Sequence, residues 1–451
     1  MTALTPEQQI VLDAIDVEEM VADLVQMVRT PSVTGTDAES ELQHSIAEAL
    51  TELGLDVDTW RLDLDSLTAD PEFPGLEAPR AEGYGVVATS GGDGEPALVL
   101  QGHTDVVSVG DLAKWETGDP FSGKIVGDSL HGRGACDMKA GTAANIAVAR
   151  ALVRSGLTLE RPFALHQVVS EEDGGLGAFA TLRRGHRGEV AVITEPTSGR
   201  LVVANAGALT FEIRVHGRAA HGSTRLEGVS AYEAFAPVYA ALRRLEQRRN
   251  SRREPLFGDN PLPYGISVGR ITAGDWASSV PDLLVAEGRL GVRLGEDPAD
   301  ARRELAEAVT ETAASDHWLR DNPPEISWPG GQFASGQLEA DHPLIGEVVA
   351  AVELVGGSRP ALGAAPYGSD LRLYAGLGGI PALHFGPGDV RLAHAPRERV
   401  SISELARHPC PRRHGHDAAG RPPLTPAGLH GPFFSLDSKN ESTLEMKTCA
   451  R

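Results

Sequence analysis

Five residues spread over most of the chain, His103, Asp137, Glu172, Glu195 and His394, have the side-chain chemistry of a site for two divalent metal ions. Imidazole and carboxylate donors without thiolate suit zinc or a similar ion in a hydrolytic centre. Each stands at the end of an apolar run or in a loop beside one. Leu98-Val99-Leu100 leads into Gly102-His103-Thr104-Asp105, and Phe163–Val169 runs into Ser170-Glu171-Glu172-Asp173. Val190–Thr194 delivers Glu195-Pro196-Thr197, and Pro381–Gly388 precedes Ala393-His394-Ala395-Pro396. Gly132-Arg133-Gly134-Ala135-Cys136-Asp137 opens a helix of small residues, where Asp137 could equally serve as a helix cap. The adjacent Glu171 and Glu172 would repel each other unless a cation compensates. In an open α/β sheet, ligands gather at the carboxyl ends of strands, so this pattern points to an enzyme.

Those strands need a scaffold. Thr5-Pro6-Glu7 is a helix start, and Val21, Leu24, Val25 and Val28 carry a second helix to Pro31. Between Gln101 and Thr197, apolar strands alternate with helices such as Ala140–Gly156, the rhythm of a mostly parallel sheet. The texture then changes. Leu209–Val215 alternates apolar and polar residues, and a helix follows from Val229 to about Arg249. Strands near Gly265–Ile271 and Leu283–Val292 precede a helix over about Ala299–Leu319 and a strand at Glu325–Trp328. Strand–helix–strand–strand–helix–strand is the pattern of a small α+β domain. Pro343–Val355 and Ile380–Phe385 return to the first texture. The expected fold is therefore α/β: a mostly parallel mixed sheet flanked by helices, built from residues 1–207 and 329–406, with a ferredoxin-like α+β domain inserted at 208–328. Residues 407–451 hold six prolines and four of the 15 histidines, show no helical or strand period, and read as a disordered tail.

Bulk properties narrow the partners. At 451 residues the chain exceeds one ordinary core, and 41% hydrophobic with 23% charged residues is a globular composition. A net charge of −22 disfavours nucleic acid and anionic membrane as partners, since both need basic surface. The first twenty residues are acidic, and no apolar run approaches spanning length. Three cysteines cannot build a disulfide framework, so a cytoplasmic location is expected.

The stretches G-H-T-D-V-V, G-R-G-A-C-D-M-K-A-G, S-E-E-D-G-G, T-E-P-T and G-P-G-D-V-R-L-A-H-A-P-R-E occur in this order. With them, residues 20–405 resemble the di-zinc metallohydrolases that include acetylornithine deacetylase, succinyl-diaminopimelate desuccinylase, aminoacylase and carboxypeptidase G. The resemblance implies two divalent ions, zinc or cobalt. It makes His103 and Glu195 ligands of one ion, Glu172 and His394 ligands of the other, and Asp137 the bridge between them. Asp105 would orient the His103 imidazole, and Glu171 would be the general base acting on the attacking water. His221, in Gly217-Arg218-Ala219-Ala220-His221-Gly222-Ser223, would reach the substrate carbonyl from a neighbouring subunit, which implies a homodimer through the inserted lid or dimerisation domain. Arg293 would hold a substrate carboxylate, and Gly368, in Tyr367-Gly368-Ser369-Asp370-Leu371-Arg372, would lie near it. A turn histidine, a surface arginine and a turn glycine are the plainer readings of these three. Ser278 stands where many relatives carry asparagine, which leaves the acyl group open.

The implied activity is hydrolysis of an N-acyl amino acid. A metallo-carboxypeptidase or dipeptidase would differ only in what lies beyond the scissile amide. A non-catalytic relative is the reading from another class. It is motivated by Arg407-His408-Pro409-Cys410-Pro411-Arg412-Arg413, where relatives continue into an apolar helix.

Overall fold

Strands Leu98–His103, Phe163–Val168 and Val190–Pro196 each begin with an apolar run and are buried along nearly their whole length, so they are covered on both faces. A computed structural model, which describes residues 4–92 and 94–407, shows how. The expected tail lies outside these residues from His408 onward.

Among the described residues the three strands form the middle of a nine-stranded mixed sheet. Its order is Asp56–Arg61, Tyr84–Thr89, Phe163–Val168, Leu98–His103, Val190–Pro196, Ala382–Gly386, Leu201–Asn205 and Gly336–Gln337, with Leu362–Ala365 also paired to Leu201–Asn205. The central four strands run parallel to one another. Pairing outside them is antiparallel except for Leu362–Ala365, so the expected predominance of parallel strands holds only at the centre. Antiparallel strands tolerate one wet face, and Asp56–Arg61 at the edge is only partly buried along its length.

Helices Val17–Arg29 and Lys139–Arg154 cover one face of this sheet, where Met20, Leu24, Val28, Ala143 and Ala147 share a core with Leu165, Val192 and Leu383. Helix Leu176–Arg183 and the Leu373–Leu377 turn cover the other through Phe179 and Tyr374 against Val99, Val168 and Ile193. The small residues of Lys139–Arg154 have a positional meaning. A Cβ on Gly141 would sit 2.1 Å from the Thr194 carbonyl oxygen, so only glycine lets the helix rest on the strand that carries Glu195. Helix Asp37–Glu52 was not apparent from the sequence, because Glu39, Ser40 and Gln43 interrupt the apolar period of its buried face.

The second sheet has the order Ile266–Ala273, Leu283–Val292, Gly207–His216, Glu325–Ser327, all antiparallel, with Gln332–Phe333 also on Gly207–His216. Helices Ala231–Arg249 and Pro298–Ser315 pack on it through a separate core that includes Phe211, Ile213, Phe235, Leu242, Leu305 and Val309. The alternating burial of Gly207–His216 is the period-two pattern its sequence shows. The chain crosses between the sheets at two adjacent places. Leu201–Asn205 runs almost directly into Gly207–His216, and Gln332–Phe333 is followed by Gly336–Gln337, paired with Ala204 and Asn205. A Cβ on Gly207 would lie 2.4 Å from the Phe333 carbonyl oxygen, which sets how closely the two crossings run. No helix among the described residues is long and apolar enough to cross a membrane.

Two buried histidines tie the large sheet to its cover. His166 Nδ1 lies 2.8 Å from the Tyr374 hydroxyl, and His384 Nε2 lies 3.0 Å from Ser369 Oγ. Burial drives both imidazoles down to about 3, with His186 and Arg187 adding to the effect at His166. The unfolded chain therefore takes up protons that the folded chain refuses, between about pH 6.5 and 3. Stability is kept above that window and lost as pH falls through it. His166→Gln keeps a partner for Tyr374 and has no proton to gain. It should flatten the acid limb of a urea-unfolding series by roughly 1 kcal/mol per pH unit. An unchanged slope between pH 6 and 4 would contradict this.

Candidate metal centre

The parallel strands end side by side, and their ends carry the acidic residues. His103 closes its strand, Glu195 lies one residue before the end of the next, and Glu171 and Glu172 occupy the turn after Phe163–Val168. His394 follows Ala382–Gly386 in a loop, with φ of 57°. Ser170, at the start of the glutamate turn, has φ of 61°. Two non-glycine residues in the left-handed region, both beside the acidic cluster, mark a backbone held by its surroundings. Asp137 does not cap the helix that follows. The N-cap is Met138, without a side-chain bond, and the Asp137–Met138 peptide is cis.

The Asp137 carboxylate faces two imidazoles, one from each oxygen. Oδ1 lies 3.4 Å from His103 Nε2, and Oδ2 lies 3.3 Å from His394 Nε2. Glu195 Oε1 is 3.9 Å from His103 Nε2, and Glu172 Oε2 is 3.0 Å from His394 Nε2. Donor atoms of His103, Asp137 and Glu172 lie within 4.8 Å of one another, as do those of His103, Glu171 and Glu195. Glu172 is thus near both imidazoles, and its ion-pair contact is to His394. The five expected ligands and Glu171 are together in one place.

Too much negative charge meets here for the protein alone. Burial, followed by Glu195 and Asp370, pushes Glu171 well above the usual carboxylate range, and burial with Asp137 does the same to Glu195. Glu172 is raised by burial and by Asp137. Asp137 is opposed by burial but held low by the His103 and His394 imidazoles that face its two oxygens. The bonds to Asp137 and Glu172 pull His394 up to about 11. Burial works against protonation of His103, yet Asp137, Asp105 and Glu195 outweigh it and hold the ring well above 6.5. His103 Nε2 is buried, and the carboxylates that face it, Asp137 at 3.4 Å and Glu195 at 3.9 Å, stand too far off for a well-formed hydrogen bond. Acids that hold on to protons around an orphaned imidazole nitrogen fit divalent cations, which would replace those protons.

Asp105 has a different main task from the expected one. His103 Nδ1 is 3.0 Å from the Asp105 carbonyl oxygen and 3.5 Å from Oδ1, so the imidazole is oriented chiefly by the main chain. The carboxylate instead accepts from Glu171 N at 3.2 Å, Glu172 N at 3.3 Å and Thr34 Oγ1 at 3.0 Å. Ser170 N donates to Glu39, itself buried against Arg80 at 2.9 Å. Asp173 accepts from Glu77 N and Ala78 N, so it is no solvated turn residue. Glu39 and Arg80 were missed in the sequence. The available signal was a glutamate on the Leu42–Ile46 face of a helix.

A cavity of about 490 Å³ opens over the cluster. Gly368 lines it, and a Cβ there would meet Phe333 at 2.5 Å. His221 does not line it. It is exposed on Ala220–His221, with Nδ1 2.7 Å from Ser223 Oγ. Arg293 is outside as well, because Glu296 at 3.2 Å and Glu304 at 3.6 Å hold its guanidinium. Arg289, four residues earlier, lines the cavity instead. Its guanidinium donates to the Pro366 carbonyl at 2.9 Å and has no carboxylate partner among the described residues. Tyr367 also faces the cavity. Burial, with Glu195, Asp137 and Glu171, raises its phenol well above 10, so it remains a donor. The strand ends at Val292, so Arg293 stands just past it, within reach of Glu296 three residues on.

If Asp137 links two cations, Asp137→Ala should deplete both, and His394→Ala should mainly empty one. Elemental analysis of the purified variants reads this directly. Full metal content in Asp137→Ala would exclude the bridge.

The sequence model of peptidase family M20/M25/M40 matches residues 99–408. The chain is 28% identical over 432 residues to N-formyl-4-amino-5-aminomethyl-2-methylpyrimidine deformylase of Bacillus subtilis, covering 89% of this chain and 96% of that one. It is 29% identical over 385 residues to acetylornithine deacetylase of Proteus mirabilis, covering 84% and 91%. Human carnosine dipeptidase 1 shares its fold with a TM-score of 0.68 at 14% identity, over 89% of this chain and 97% of that one. Motifs, fold and the match over most of its length agree that this chain is a hydrolase belonging to peptidase family M20/M25/M40.

Proposed function

We propose that the protein removes the acyl group of an N-acyl amino acid, using two divalent ions, by preference zinc. The carrying observation is the Asp137 carboxylate, whose two oxygens address two different imidazoles at 3.4 and 3.3 Å. His103, Asp137 and Glu195 would hold one ion, and Asp137, Glu172 and His394 the other. Such a pair, when bound, polarises a carbonyl and lowers the pKa of water.

The chain's own groups supply the rest. Glu171 is buried in the cavity floor, and its carboxylate accepts no hydrogen bond from the described residues. Burial raises its proton affinity, which suits a group that takes a proton from the attacking water and then delivers it to the leaving amine. Tyr367, a protonated phenol in the cavity with no acceptor among the described residues, would donate to the substrate carbonyl oxygen. Arg289, with no carboxylate partner among the described residues, would take the carboxylate of the amino-acid part through its planar fork. This contact favours an acyl amino acid over a heterocyclic amine without a carboxylate.

The inserted sheet leaves an edge strand, Ile266–Ala273, largely exposed, and Leu226, Tyr232, Tyr239 and Trp276 between the same two crossings are exposed as well. These features support a homodimer formed there, in which a second copy would bring His221 to the cavity.

Two measurements test the reading. Glu171→Gln should retain both metals and lose roughly a hundredfold to ten-thousandfold in turnover of N-acetyl or N-formyl amino acids. Loss of metal, or full turnover, would remove Glu171 from its role. Arg289→Met should raise KM for an N-acyl amino acid by roughly tenfold to a hundredfold, and leave KM for the matching C-terminal carboxamide unchanged. Equal effects on both substrates would show that Arg289 does not read the carboxylate.

A further inference from the structure

We infer that Glu398 is a positioning residue of the metal centre, its buried carboxylate fixing the loop that carries Asp137 to the loop that carries His394. The inference rests on the reading of Asp137 and His394 as ligands, and it concerns a group that touches neither the cavity nor any imidazole.

Glu398 is 1% exposed, which is rare for a glutamate without a specific task. Its Oε1 accepts three main-chain N–H groups from one short loop: Gly134 at 2.8 Å, Cys136 at 3.2 Å and Asp137 at 3.2 Å. The last of these belongs to the bridging residue itself. Its Oε2 is bound by the guanidinium of Arg133, from the same loop. Arg133 is fixed in turn, donating to Ser108 O at 3.2 Å and lying 5.3 Å from the Trp115 ring centre. The main chain around Glu398 repeats the connection. Gly132 N donates to Glu398 O at 3.1 Å, and Arg399–Ser401 pairs with Ser129–His131 on the other side of the loop. Toward its own loop, Glu398 N donates to Ala395 O at 3.0 Å, one residue past His394.

One carboxylate thus gathers three backbone donors and a guanidinium, all from residues 133–137. Three donors that share one oxygen fix the loop jointly, so the position of Asp137 N is set to within the reach of one glutamate side chain. His394 lies four residues before Glu398, and Asp137 must meet it across the proposed second metal. Moving this anchor shifts one ligand relative to the other while the strands bearing His103 and Glu195 stay where they are. Outer groups of this kind change metal affinity without touching the metal.

Shortening and neutralising the side chain separate position from charge. Glu398→Asp keeps the charge and withdraws the acceptor by one methylene. Glu398→Gln keeps an acceptor in place and loses the charge. Metal-free protein is titrated with cobalt(II), followed by calorimetry and by the visible absorption of the bound ion. Glu398→Asp should weaken cobalt binding by roughly tenfold to a hundredfold and change the absorption band, and Glu398→Gln should weaken it by only about threefold to tenfold. Wild-type affinity and spectrum in either variant would overturn the inference, as would a greater loss in Gln than in Asp. If the Asp variant does not yield folded protein, the Gln variant decides alone on the same criterion. Asp137→Asn is the control. Wild-type cobalt binding there would overturn the ligand reading itself, whereas loss of metal in Asp137→Asn alone would overturn only the role of Glu398.

Discussion

The constraint on which this structure turns is the convergence of four carboxylates on two imidazoles at the ends of parallel strands. Asp137, Glu171, Glu172 and Glu195 cannot all be ionised so close together in a buried place without added positive charge. The centre is therefore an unfinished electrostatic object, and the fold around it resists the repulsion. That explains an otherwise odd economy in the surroundings. Further buried carboxylates, Asp105, Glu39, Asp173 and Glu398, are spent on backbone N–H groups and arginines close by. Each satisfies donors that a turn leaves unpaired, and each holds a ligand-bearing turn against its neighbours.

Two layers of acid with opposite tasks follow from this. Those in the inner layer point at the imidazoles and at each other. Those in the outer layer face N–H groups and guanidinium groups, where their charge is matched: Glu39 by Arg80, and Glu398 by Arg133. The difference is one of partners and not of burial, since both layers are largely out of solvent.

Sequence reading reached the inner layer because its members sit next to apolar runs with small residues and turns, which locate strand ends. It reached the inserted sheet because Gly207–His216 has one wet face, so its alternation shows. It did not reach the outer layer. Glu39 and Arg80 are 41 residues apart and meet only when helix Asp37–Glu52 docks, so no spacing signals the pair. Arg293 was the arginine expected at the substrate, and the structure puts it outside the cavity. Arg289 lies on the strand and Arg293 just past its end, where Glu296, three residues on, and Glu304 hold the guanidinium. Asp105 was expected to turn its carboxylate to the His103 ring, but its short side chain turns toward Glu171 N and Glu172 N, and the carbonyl is what meets the ring.

The double crossing between the sheets has a mechanical meaning. Chain enters the small sheet at Ala206 and returns between Phe333 and Gly336, with the two crossings paired side by side. A paired ribbon is stiff against stretching and shear but compliant in torsion. Glu77 adds a tie near it, accepting from Thr210 Oγ1 at 2.7 Å and Gly331 N at 3.2 Å. The two sheets are therefore joined beside the cavity by paired main chain. Arg289 belongs to the small sheet, and the acidic centre belongs to the large one. A substrate that touched both Arg289 and the centre would span this junction, so its length would be matched against the spacing that two peptide strands set.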